Sequence, residues 1–206
     1  MQIDQSPAKN HIFECGERLI ARKGFVGVGL AEILSTAGVP KGSFYHYFKS
    51  KERFGEELLE RYMEHYLARL DALLTSDNQT ARARLMRYWS FWNATQCGIT
   101  DDADCESVAG SKCLIVKLSA EVADMSEAMR LTLRDGTDRV VQRIARCLEE
   151  ARADGSVPPE LAADAMALTL YEMWLGASLL AKLRRDGSPF VHALRSTELL
   201  LGPGAR

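Results

Sequence analysis

Lys41, Ser43, Tyr45 and His46 put a cation, two hydroxyls and an imidazole on one short segment of a 206-residue chain. Phe44 and Phe48, four apart, take the side of that segment that a helix would bury. Lys41 and Tyr45 are then left on one outward row, with Gly42 and His46 on the next. A short exposed helix with a cation and hydroxyls near its N-terminus suits phosphate and groove contact, because the open N–H groups and the helix dipole favour anions. Tyr47 and Lys51 extend the same surface. A second chemistry is offered by Cys113, which follows Gly110–Ser111–Lys112 and opens a helical pattern, where dipole and N–H groups favour a thiolate. Lys117 falls four residues on, on the same face, and adds positive potential. A thiolate there attacks quinones, enals and maleimides, and is oxidised by hypochlorous acid or peroxide. The plainer alternative is that a single cysteine is a small buried hydrophobe.

These groups need helices to hold them. Leu30, Ile33, Leu34 and Ala37 recur at three- and four-residue steps, the apolar stripe of one amphipathic helix. Gly38 can take the left-handed conformation that ends it, and Pro40 pre-sets the first turn of the next. Two helices joined by a turn therefore occupy about residues 29–48. Before them, periodicity predicts a helix from Ala8 to Lys23 that buries Ile12, Phe13, Leu19 and Ile20. After them, a long helix starts near Ser50 as N-cap and runs to Leu74, and another covers Ala81 to Gln96. CGITDDADCESVAGSK reads as a loop. Helix resumes near Cys113, breaks at about Asp124–Ser126 and continues to Ala153; two more are expected from Pro159 or Glu160 to Arg185 and from Ser188 to Leu201. No strand pattern occurs, so the expected class is all-α. A three-helix helix-turn-helix domain would occupy residues 1–50, and a larger helical domain for ligand binding and dimerisation residues 51–206.

Charge divides along the same line. Residues 1–51 hold seven Lys/Arg against four Asp/Glu, a surplus of three, although the whole chain is at −2. Positive potential is thus concentrated where phosphate would bind. No apolar run reaches the roughly 18 residues of a spanning helix, and MQIDQSPAKNHIF lacks the basic-then-apolar pattern of a secretory signal. A cytoplasmic protein with no membrane partner is expected. Cys15, Cys97, Cys105, Cys113 and Cys147 are then thiols rather than a disulfide framework. Their spacing is unlike that of a structural zinc site, and no metal or other cofactor is expected.

The stretch from Ile12 to Leu59 resembles the DNA-binding domain of the TetR family, most specifically in the string Gly42–Ser43–Phe44–Tyr45–His46–Tyr47–Phe48 followed by Lys51–Glu52. KCLIVKLSAEVADMSEAMR (112–130) and LYEMWLGASLLAKL (170–183) are similar to the electrophile-responsive, NemR-like subgroup of that family. The resemblance implies a homodimer on double-stranded operator DNA, joined through the final helix pair of each subunit. It also implies that Cys113 is a sensing thiol and Lys182 its partner after oxidation.

Three readings follow. The leading one is a transcriptional repressor released from a palindromic operator when an electrophile or oxidant modifies Cys113. A second keeps the DNA-binding part but binds a small apolar inducer reversibly among Trp89, Trp92, Lys117, Tyr171, Trp174 and Ser178, although aromatics at helical spacing are more often core. A third, remote, is a thiol enzyme that consumes electrophiles; it leaves the N-terminal motif unexplained. No catalytic set such as Ser-His-Asp is present, so no catalytic residue is assigned. Ala163, Met166, Ala167, Leu170 and Trp174, with Phe190, Leu194 and the leucines at 199–201, are the expected dimer faces.

Overall fold

A computed structural model describes residues 6–75, 78–96 and 114–203, and every regular element among them is an α-helix. The helices are α1 (Pro7–Lys23), α2 (Leu30–Ala37), α3 (Lys41–Tyr47), α4 (Lys51–Leu74), α5 (Ala81–Gln96), α6 (Leu114–Ala123), α7 (Glu127–Ala153), α8 (Ala163–Arg184) and α9 (Ser188–Leu201). Cys97, Cys105, Cys113 and the loop expected between α5 and α6 lie outside the described residues. The chain groups into two units, Met1–Met63 with Lys112–Asp135, and Glu64–Ser111 with Gly136–Arg206; α4 and α7 contribute to both.

In the first unit, local signals set the helix ends. Ser6 caps α1 by accepting from the Lys9 N–H, and Pro7 occupies the first turn. Gly38 ends α2 at φ 62°, and Val39 N–H closes back on the Leu34 carbonyl. Ser50 caps α4 through the Arg53 N–H at 3.0 Å. Phe13, Phe44, Phe48 and Phe54 are buried, and their rings approach at 5.0 to 5.6 Å. That cluster joins α1, α3 and α4, so α3 is pinned by one face and presents the other. Burial of rings this size dominates the energy of a small core.

In the second unit, α9 packs on both α8 and α5. Trp174 is stacked on Trp89 with centroids 4.9 Å apart, and Phe190 also stacks with Trp174 at 6.1 Å. Two differences from the sequence expectation appear here. α8 begins at Ala163 rather than at Pro159 or Glu160, because Leu161 N–H turns back on the Pro158 carbonyl and Leu161 itself is buried. Ala163, Ala167, Leu170, Trp174, Phe190 and Leu201, expected on the dimer face, are internal core; Met166 and Leu194 are half-buried. The large apolar residues left exposed in this unit lie on the last two helices. Leu168, Leu179, Leu180 and Leu183 lie on α8, and Val191, Leu199 and Leu200 on α9.

Candidate functional site

Helix α3 presents Lys41, Gly42, Tyr45 and His46 as exposed residues, with Ser43 and Tyr47 half-buried. The Lys41 ammonium lies 5.8 Å from the Tyr45 ring, and the His46 and Tyr47 rings meet edge to face at 5.0 Å. Ser6 Oγ donates to the Tyr47 hydroxyl at 3.0 Å, fixing the end of α3 against the start of α1. A Cβ at Gly42 would meet nothing within 4 Å. Glycine costs helix stability, and no close packing among the described residues requires it at this position.

Lys51 differs from its neighbours. It is half-buried, donates from Nζ to the Phe25 carbonyl at 2.7 Å and lies 4.4 Å from the Phe25 ring centroid. Burial pushes its pKa below the usual lysine value, and the Glu121 carboxylate nearby pushes partly back. Its first engagement is thus with the turn between α1 and α2.

That turn is also held from α6. Glu121 accepts from the Phe25 N–H at 3.1 Å on one oxygen and from the Val26 N–H on the other. Gly24 sits at φ 83°, where a Cβ would come within 2.8 Å of the Glu121 carboxylate. At the other end of α6, Leu114 N–H donates to the buried Tyr62 hydroxyl of α4 at 3.3 Å. Sequence reasoning missed Glu121. Its only sequence signal is a carboxylate placed on the helix that follows Cys113, within the LSAEV string. Lys117 is half-buried on the same helix.

The aromatic residues of the second unit lie together. Trp92 meets Tyr171 at 5.9 Å and Trp174 at 6.2 Å. Trp92 Nε1 donates to Ser178 Oγ at 2.9 Å, Ser178 Oγ donates to the Trp174 carbonyl, and Trp174 Nε1 donates to Thr197 Oγ1. These rings fill one another's space as a packed core. Trp89 Nε1 is buried with no acceptor among the described residues. A cavity of about 260 Å³ opens elsewhere in this unit, lined by Asp71, Arg84, Arg143, Arg146, Cys147 and Glu150 among others. Lys182 is exposed late in α8. Cys147 is buried and its thiol donates to the Ala81 carbonyl; burial raises its pKa to about 12. Cys15 is also buried, with Sγ 3.3 Å from Arg18 Nη2.

Residues 12–58 match the family described as bacterial regulatory proteins, tetR family, and residues 105–197 match the tetracyclin repressor-like C-terminal domain. The chain belongs to the TetR family and is a DNA-binding transcriptional regulator. It is 39% identical over 197 residues to the HTH-type transcriptional repressor NemR of Escherichia coli (strain K12), covering 96% of this chain and 95% of that protein. A crystal structure of the reduced form of E. coli NemR matches with a TM-score of 0.86 at 38% identity, over 98% of this chain and all of the other. The HTH-type transcriptional repressor DhaR of Mycobacterium sp. (strain GP1) is 29% identical over 90% of this chain and 87% of its own length. No helix among the described residues is long and apolar enough to cross a membrane.

Proposed function

We propose that this chain is a homodimeric transcriptional repressor that reads a palindromic operator with α3 and releases it when an electrophile or oxidant modifies Cys113. The observation that carries the DNA reading is the exposed face of α3, where Lys41, Tyr45 and His46 surround a glycine that no internal packing demands. Lys41, Ser43 and Tyr47 supply phosphate contacts, and Gly42 lets the DNA backbone come close. Lys51 acts chiefly from behind, by bracing the Phe25 turn.

The dimer is supported by Leu168, Leu179 and Leu183 of α8 and Val191 and Leu199 of α9. An exposed apolar set of this size on two packed helices fits a second copy of the same chain. The sensing reading is supported by the similarity to a repressor whose reduced form has been crystallised. It is supported too by the state of Cys147, which at a pKa of about 12 stays a thiol and is a poor nucleophile at neutral pH. With hypochlorous acid the Cys113 thiolate takes the hydroxyl and chloride leaves, giving a sulfenic acid. The Lys182 amine then displaces water from that sulfur to form an S–N bond. A simple alkylating quinone adds directly to sulfur and needs no amine.

A mobility shift on the DNA just upstream of the chain's own gene tests the proposal. The wild-type complex should dissociate with quinone or hypochlorite, and Cys113→Ser should bind normally without responding. Lys182→Ala should change only the oxidant response. Release of Cys113→Ser by both agents would overturn the sensing reading.

A further inference from the structure

We propose that Glu121 is the positioning residue through which α6, the helix directly after Cys113, sets the helix-turn-helix for DNA. This rests on the DNA-binding reading above and extends its sensing part. The geometry is specific. One carboxylate accepts two successive backbone N–H groups, those of Phe25 and Val26, on its two oxygens. Those amides belong to the turn that ends α1 and leads into α2, so the carboxylate grips the backbone at the joint of the reading head. Bonds from backbone N–H groups to an ionised carboxylate are stronger than neutral ones and fix direction as well as distance.

The rest of the turn is built around that grip. Gly24 takes a positive φ that side chains rarely adopt, and its missing Cβ is the space the carboxylate uses, since an added one would lie 2.8 Å from Oε2. The Phe25 carbonyl accepts from Lys51 Nζ, so the same peptide segment is tied to α6 by its N–H groups and to the first residue of α4 by its carbonyl. The Phe25 side chain is buried. Helix α6 has little latitude to slide past these contacts. Leu114, Ile115, Leu118 and Val122 are buried, and Leu114 N–H is bonded to Tyr62. A displacement imposed at residue 113 therefore moves a rigid ten-residue rod whose far end holds the 24–26 backbone.

These contacts give a route for coupling from α6 to the backbone of the α1–α2 turn. A state of α6 that withdraws Glu121 removes the acceptor of the part-buried Phe25 N–H and of the exposed Val26 N–H, and releases the turn from α6. Coupling between two sites requires that both bias one two-state element, and the Glu121-held turn is the element proposed for that role.

Operator affinity is measured by fluorescence anisotropy for wild type, Glu121→Ala and Glu121→Gln, before and after stoichiometric alkylation of Cys113 verified by mass spectrometry. Helix content and melting are recorded for each. Without alkylation, Glu121→Ala should bind DNA roughly 5- to 150-fold more weakly, the usual size of such couplings. Glu121→Gln, which keeps one acceptor oxygen, should fall between it and wild type. The ratio of affinities before and after alkylation should shrink toward one in Glu121→Ala, a readout that loss of stability alone would not move. Amide exchange at Phe25 and Val26 should quicken in Glu121→Ala. Wild-type affinity in a folded Glu121→Ala would overturn the proposal, as would an alkylation ratio equal to that of wild type. If wild type itself ignores alkylation, the Cys113 reading falls. The Glu121 proposal is then decided by the unalkylated affinities and the exchange rates.

Discussion

Lys41 and Lys51 look interchangeable in the sequence, two lysines flanking the reading helix, but their surroundings separate them. Lys41 is exposed beside Tyr45, whereas Lys51 spends its ammonium on the Phe25 carbonyl and ring. Lys41→Ala should leave the melting temperature unchanged and flatten the salt dependence of operator binding by about one unit for a lost phosphate contact. Lys51→Ala should instead cost roughly 1–2 kcal/mol of stability by stripping a charged hydrogen bond, with the salt slope kept. Salt titrations of both variants, alongside thermal melts, check the distinction. Cysteine chemistry divides in the same way. Because Cys147 titrates near 12 in the fold, the folded state keeps a proton that the unfolded chain releases near its ordinary thiol pKa of 9. The protein's stability should therefore fall as pH rises through that window, and the contribution is fully present below it. Denaturant midpoints measured from pH 8 upward should drop less steeply in Cys147→Ala than in wild type.

At the scale of elements, periodicity served well where a helix has one wet and one dry face. Leu30, Ile33 and Ala37 located α2, Ser50 located the start of α4, and the bounds of α5 and α9 were legible to the residue. It served less well for α8, which is apolar nearly all round. There Ala167, Leu170 and Trp174 look as suited to a partner as Leu179 and Leu183 do, and only packing against α5 and α9 tells which set is taken. The difference is measurable. Leu183→Glu should leave protomer stability within about 0.5 kcal/mol while converting the protein to a monomer in sedimentation. Trp174→Glu should unfold it, since an unpaired buried charge costs about 3–5 kcal/mol. A Leu183→Glu protein that stays dimeric would remove α8 from the interface. Of the candidate site, the α3 face was legible because a four-residue aromatic repeat fixes which side is buried. Glu121 was not, because nothing in a local pattern reveals that a helix some 90 residues later returns to the α1–α2 turn, where it lies 96 residues from Phe25.

For the whole molecule, the leucines left in water on α8 and α9 matter beyond geometry. Leu183 is 71% exposed and Leu199 76% exposed in the single chain, so pairing through the proposed α8–α9 face would take hydrated apolar surface out of water. A repressor assembled in this way obeys the law of mass action twice, once for pairing and once for the operator. When cellular protein is scarce enough for protomers to separate, operator occupancy follows the square of protomer concentration, and halving the protein leaves roughly a quarter of the paired species. Dilution by cell growth without new synthesis would then act as a signal in its own right, lowering repression more steeply than in proportion, without any inducer.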